Sequence, residues 1–323
     1  MRWNRNEAAR ARSRVTTRGS GPLLFAAACA AGIAANLAHA QPASLSLANR
    51  AYAQIPNSAD FTMPQFTLAM WLKPTGPGEF GGGTLISKSG KPDTGSLLCS
   101  WWMGWSSASG KVLGMVVHQY GISGKVVTSD AVVSLNEHAH AALTFNGTTL
   151  RLYINGVLDQ EAPFGFTGVY YSTEDVLIGG FNANSGYTFN RFDGTLDDVC
   201  VWNRALNAGE VAALANCEPT ISPNGLVAYL PFSNLSLADA SGNGHSAAAL
   251  GSIAFGPQHA SLCPADFNCD GQVDDADFVA FVASYNELVI PPADPKCDLN
   301  GDGFVDDADF ILFAVAYNTL VCS

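Results

Sequence analysis

One twelve-residue pattern occurs twice near the end of the chain, 32 residues apart, and narrows what that end can become. The first copy reads D-F-N-C-D-G-Q-V-D-D-A-D from Asp266 to Asp277, and the second D-L-N-G-D-G-F-V-D-D-A-D from Asp298 to Asp309. Each puts oxygen-bearing side chains at loop positions 1, 3, 5 and 12, with Gly271 or Gly303 at position 6. Calcium takes roughly six to eight oxygen ligands on a sharply turned loop, and the glycine permits the turn. The expected ligands of the first loop are Asp266, Asn268, Asp270, the carbonyl of Gln272, Asp274 (directly or through water) and Asp277. The second repeats them as Asp298, Asn300, Asp302, the carbonyl of Phe304, Asp306 and Asp309. Five carboxylates in each loop repel without a cation, so folding of this end is expected to depend on two calcium ions.

Each loop runs into an apolar stretch, Phe278 to Tyr285 and Phe310 to Tyr317. Phe278, Phe281 and Tyr285 match Phe310, Phe313 and Tyr317 at a spacing that predicts one helix after each loop. These rings either pack the helices together or stay exposed for a partner. Val273 and Val305, at position 8, are expected to pair the loops or pack beneath them.

Residues 1–40 read as a secretory signal: six arginines precede an apolar core, Pro22 to Leu37, that ends in Ala38-His39-Ala40. The core is too short to favour a spanning helix, and no later segment approaches the ~20 apolar residues one needs. The mature chain is therefore expected outside the cell or on its surface, with cleavage near Ala40. The leader carries six Arg and one Glu, which leaves 10 basic and 27 acidic residues of the original 16 and 28. Residues 263–323 hold 12 of those acids against Lys296 alone, so nucleic acid and anionic membrane are poor partners. Export makes disulfides plausible. Cys263, Cys269, Cys297 and Cys322 form an even set in the tail, with Cys263–Cys322 one pairing across its ends, while Cys200 and Cys217 are a candidate pair by spacing.

Residues 41–255 carry strand signals almost throughout. Phe66 to Lys73 alternates Phe66, Leu68, Met70 and Leu72 against Thr67, Ala69, Trp71 and Lys73. Leu143 to Asn155 holds two β runs across Asn146-Gly147, a hairpin dipeptide. Further strands are expected at Thr84–Ser87, Val112–Gln119, Asp175–Ile178, Leu196–Trp202 and Leu226–Leu230, with one short helix near Ala208–Ala215. The fold class predicted is mainly β: a two-sheet antiparallel jelly-roll sandwich, with a small α-helical calcium-loop domain at residues 263–323 after a linker at 256–262.

Phe66 to Pro74 (FTLAMWLKP), Thr144 to Gly156 (TFNGTTLRLYING), Ile178-Gly179-Gly180, Phe192 to Leu206 (FDGTLDDVCVWNRAL) and Gly225 to His245 (GLVAYLPFSNLSLADASGNGH) resemble the laminin-G-like, concanavalin-type jelly rolls of secreted bacterial proteins. That resemblance implies a fold shared by lectins, adhesion modules and glucanases, so function has to come from the site. Glycosidases need two carboxylates about 5 to 9 Å apart. Asp197-Asp198 and Glu174-Asp175 are adjacent pairs, which strand alternation sends to opposite faces. Binding without catalysis is the expectation. Candidate ligand contacts are Trp102, which alternation turns away from Trp101, Met103 and Trp105, and Asn182, Asn184, Tyr187 and Arg191 in the loop Phe181–Phe192. Asp198, Asp239 and Asn243 could hold one more calcium, or Asp239 and Asn243 could simply shape a turn.

A full EF-hand has an entering helix and Glu at position 12. Here Cys263-Pro264-Ala265 and Pro292 to Lys296 precede the loops, and position 12 is Asp. Loop plus exit helix, duplicated, resembles the type I dockerin, a docking module of polysaccharide-degrading assemblies. The resemblance implies a cohesin-like partner or cell-surface scaffold bound through the exit helices, with positions 10 and 11 setting the choice. Those positions are Asp275-Ala276 and Asp307-Ala308, identical in both copies and unlike the hydroxyl pair common in the family. The combined expectation is a secreted binding protein for a glycan or surface glycoprotein, with an extracellular glycoside hydrolase and a structural assembly protein as the rival readings.

Overall fold

The computed structural model describes residues 43–48, 50–90, 98–118, 124–182, 188–216, 224–257, 264–267, 273–287, 297–300 and 303–318. The leader, the segment 258–262, Asn184, Tyr187, Asn268, Asp270, Gln272, Asp302 and the cysteines 217, 263, 269 and 322 lie outside the described residues.

In chain order the strands are β1 (Ser44–Leu47), β2 (Tyr52–Ile55), β3 (Phe66–Pro74), β4 (Gly82–Gly90), β5 (Leu98–Ser106), β6 (Lys111–Val117), β7 (Gly124–Val132), β8 (Ala139–Phe145) and β9 (Thr149–Ile154). They continue as β10 (Val157–Pro163), β11 (Val176–Ile178), β12 (Phe181–Asn182), β13 (Thr188–Phe189), β14 (Gly194–Trp202), β15 (Leu226–Leu230), β16 (Ala248–Leu250) and β17 (Ala254–Gly256). Helix α1 (Ala208–Asn216) follows β14, and α2 (Asp275–Glu287) and α3 (Asp307–Tyr317) follow the two acidic loops.

Two antiparallel sheets face each other. One runs β10-β9-β8-β3-β14-β1-β17, with β15 also on β14, and the other β16-β2-β11-β4-β5-β6-β7. Alternation sets their inner faces. Phe66, Leu68, Met70 and Leu72 of β3 meet Trp101, Met103 and Trp105 of β5 in one buried core. The Asn146-Gly147 hairpin joins β8 to β9 as predicted, with Gly147 at φ +92° and the Asn146 side chain accepting from the Thr148 and Thr149 N–H groups. A second, smaller core lies outside the larger sheet, where Val211 and Leu214 of α1 join Ala69, Ala142, Tyr153, Cys200 and Trp202.

Three sequence expectations need correction. The sandwich does not end at residue 255, because Gly256 pairs with Ser44 and Ser44 Oγ donates to the Pro257 carbonyl at 2.8 Å. Cys200 is a free, fully buried thiol rather than half of a Cys200–Cys217 bridge, because its place on β14 turns it into the core beneath α1. Asp197 and Asp198 do not follow strand alternation. The register slips between Asp197 and Cys200, Asp198 takes φ +46°, and both residues are buried.

The C-terminal region has its own core of Ala265, Val273, Phe281, Cys297, Val305 and Phe313. The two position-8 valines thus pack beneath the loops, and the Cys297 Sγ donates to the Ala280 carbonyl at 3.9 Å. The second aromatic of each helix carries the packing: Phe281 and Phe313 stack with centroids 5.2 Å apart. No helix among the described residues is long and apolar enough to cross a membrane.

Candidate functional site

The outer face of the smaller sheet carries Trp102. Its neighbour two residues along the same face is Gly104, where an added Cβ would lie 2.2 Å from Trp102 Cζ2, so the indole lies across a position that only glycine leaves open. Trp102 Nε1 donates to Thr84 Oγ1 at 2.9 Å, and Asn190 Nδ2 donates to the same hydroxyl at 3.2 Å. The Thr84 N–H closes the arrangement on the Asn190 carbonyl at 2.7 Å. Beneath and beside the indole lie Cys99, Val117, Phe181, Met115 and Tyr170, a satellite apolar cluster that fixes the ring's height above the sheet. Trp102 itself is half-buried, and its partners Trp101 and Trp105 are core, as alternation requires.

Next to this platform, the Arg191 guanidinium lies 5.9 Å from the centre of the Tyr52 ring and 3.4 Å from Glu79. Arg50, largely exposed, reaches the other Glu79 oxygen at 3.7 Å. Asn182 sits at the opposite end of β4: its N–H donates to Ser89 Oγ at 2.8 Å and its amide to Glu174 at 3.2 Å. The fold therefore brings Trp102 and Arg191 together through Thr84 and Asn190, and holds Asn182 at Ser89 and Glu174, away from Thr84 along β4. Sequence reasoning missed Thr84, Asn190, Tyr52 and Glu79. Glu79 alone left a signal, as an acid inside the glycine-rich turn Gly76–Gly83 of a chain with only 14% charged residues.

At the possible third calcium position, Asp239 and Asn243 shape a turn. Asp239 accepts from the Tyr229 N–H (3.0 Å), the Ser241 N–H (2.9 Å) and hydroxyl (2.8 Å), and the His245 N–H (2.8 Å). Burial pushes its carboxyl upward, and those hydrogen bonds outweigh that, leaving its pKa below the usual carboxylate value. Asn243 donates its amide to the Leu226 and Val227 carbonyls. Asp198 stands across Tyr229, whose hydroxyl donates to it at 2.7 Å. Burial raises the Cys200 thiol well above its ordinary pKa, helped by Asp198 and Asp239, so this cysteine is no nucleophile.

Where they are described, the two acidic loops share the bond from the position-9 N–H to the position-12 carboxylate and differ in its second donor, position 2 in the first loop and position 3 in the second. Asp277 accepts from Phe267 N–H at 2.7 Å and Asp274 N–H at 3.0 Å, while Asp309 accepts from Asn300 N–H and Asp306 N–H, both at 3.0 Å. Both position-12 carboxylates are fully buried. Gly303 takes φ +92°, and its N–H donates to Asp298 at 2.8 Å. Among the described residues no group of three His, Cys, Asp or Glu side chains converges on one point. The Asp275 and Asp307 carboxylates, placed by sequence at the docking positions, are exposed and each accepts from a tyrosine of the other helix: Tyr317 Oη donates to Asp275 at 2.5 Å and Tyr285 Oη to Asp307 at 2.6 Å. Ala276 and Ala308 are exposed beside them. Two apolar grooves flank the helix pair, each lined by Phe278 and Phe310, one closed by Tyr285 and Asp307 and the other by Tyr317 and Asp275.

Two facing antiparallel sheets define a jelly-roll-like sandwich. A laminin-G family model, described as the concanavalin A-like lectin/glucanases superfamily, matches residues 47–212, and the chain belongs to that superfamily. No curated protein matches the sequence. Among solved structures, a candidate carbohydrate binding protein from Bacteroides ovatus is similar at 15% identity and a TM-score of 0.52, covering 69% of this chain and 61% of its own. The chain thus spans about three fifths of that protein's length. A heptameric SAP-like pentraxin from Limulus polyphemus is similar at 16% identity over 68% of this chain and 96% of its own, with a TM-score of 0.49. At these identities the likeness is one of fold.

Proposed function

We propose that this chain is a secreted, non-catalytic binding protein whose sandwich holds a carbohydrate on the outer face of its smaller sheet. One observation carries the reading: the Trp102 indole lies over Gly104 with its N–H fixed by Thr84, beside Asn190 and Arg191. An aromatic face stacks on sugar C–H groups while amides and a guanidinium bond hydroxyls, the mixture that small-ligand sites use. Membership of a superfamily that includes lectins, and the likeness in fold to the Bacteroides carbohydrate binding protein, support a glycan ligand. Titration of the full chain against a glycan panel tests it. Trp102→Ala should weaken the best ligand by about tenfold or more, equivalent to ~1.4 kcal/mol. Equal affinity in the variant, or release of reducing sugar by the wild type, overturns the reading.

The C-terminal module, in the same proposal, docks to a cohesin-like partner or cell-surface scaffold once two calcium ions are bound. The donors present are oxygens, and the buried position-12 carboxylates sit where the loop turns back into each helix, which suits a hard cation. The paired grooves on either side of Phe278 and Phe310 support a docking face with two equivalent orientations.

A further inference from the structure

A buried amine outside the carbohydrate platform is aimed at a side-chain amide. Lys88 on β4 is fully buried, and its Nζ donates to Asn57 Oδ1 at 2.6 Å and to the Glu174 carbonyl at 2.7 Å. Strand register gathers these groups: Val176 of β11 is opposite Lys88 on one side and Ile55 on the other, so the ends of β2, β4 and β11 meet there. Asp175 anchors the target, because its Oδ1 accepts from the Asn57 N–H at 2.7 Å while its other oxygen accepts from Gln54. The Phe61 ring, 5.6 Å from Nζ, covers the amine. Asn57 itself is exposed, so a small leaving group has a path to solvent.

We propose that Lys88 and Asn57 become joined by an amide between Nζ and Cγ, a covalent tie from β4 to the loop after β2. The step balances without oxidant or reductant. Free-base Nζ attacks Cγ, the Nζ–Cγ bond forms and the Cγ–Nδ2 bond breaks. The departing nitrogen takes its own two hydrogens and one from Nζ and leaves as ammonia. A small rotation of the Asn57 amide turns Cγ toward the amine that already bonds its oxygen. Held contact of this kind replaces a bimolecular encounter. Burial lowers the Lys88 pKa to about 8 against the opposing pull of Asp175 and Glu174, so the unprotonated amine is populated far below the range of an exposed lysine.

The test is peptide mapping of the folded full-length protein after incubation at mildly alkaline pH, with Asn57→Ala, a change at an exposed residue, as the control. The wild type should yield a branched peptide joining the segments around residues 57 and 88, lighter than the two together by one ammonia. That species should vanish in Asn57→Ala. Recovery of both wild-type segments unlinked and at their full masses overturns the proposal. So does a one-ammonia loss confined to a single linear peptide, which would mark ring closure at Asn146-Gly147 or Asn155-Gly156. Glycan binding through Trp102 is unaffected by either result.

Discussion

Gly104→Ala tests whether the indole platform is built as described. The new Cβ would meet Trp102 Cζ2 at 2.2 Å, Cη2 at 2.8 Å and Cε2 at 2.9 Å, all inside normal contact. Gly104 has an ordinary negative-φ strand backbone, so the methyl brings no conformational strain of its own. Overpacking of this kind costs about 1–3 kcal/mol, and the lower half applies because a half-buried ring can swing outward. Swinging breaks the bond to Thr84, adding about 1 kcal/mol. Against that, alanine restricts the unfolded chain and returns roughly 0.4–1 kcal/mol. The net loss is about 1–2.6 kcal/mol, or ~2–10 °C in Tm for a sandwich of this size. Chemical denaturation of Gly104→Ala, Trp102→Ala and the double variant separates the terms. With the indole gone the alanine should be neutral or slightly stabilising, a coupling of about 2–3 kcal/mol. Loss of glycan affinity should accompany the single Gly104→Ala change. An equal cost in both backgrounds would mean that the methyl strikes something other than Trp102, and the platform geometry would be wrong.

Phe281→Ala removes the ring at the centre of the C-terminal core and should cost about 3–5 kcal/mol, enough to unfold so small a module while the sandwich melts unchanged. Domain-resolved calorimetry reads this directly. Chelation should lower the melting of that same module in the full chain, and calcium should restore it; an unchanged transition with no bound metal refutes the calcium reading. Hydrogen bonds to Asp307 and Asp275 raise the Tyr285 and Tyr317 pKa values. The sign follows: the clasp is fully present below the ordinary tyrosine range and is lost as pH rises through the raised folded values. Ultraviolet titration should show two late-ionising tyrosines that revert in Asp275→Asn and Asp307→Asn. Cys99 and Cys200 should resist thiol reagents until the sandwich unfolds, since burial holds both thiols protonated; a peptide linking residues 200 and 217 under non-reducing conditions would contradict this.

Much of the sandwich was legible because its code is local. Alternation in FTLAMWLK and WWMGW named the inner faces of β3 and β5, Asn146-Gly147 named its hairpin, and the repeated loops placed α2 and α3. The exceptions lie where a neighbouring strand interferes. Asp197 and Asp198 read as an ordinary strand pair, yet β14 pairs β1 along its first half and β15 along its second, and the slipped register buries both acids.

The sequence by itself determined the periods, the turns and the duplicated acidic loops, because each depends on residues within about a dozen positions of one another. Which side chains share a site is another matter. Thr84 meets Trp102 and Asn190, Arg191 rests on Tyr52, and Lys88 reaches Asn57 only through strands that pair across long stretches of chain. Sheet order decides those meetings, and sheet order is a property of the whole packed core rather than of any segment.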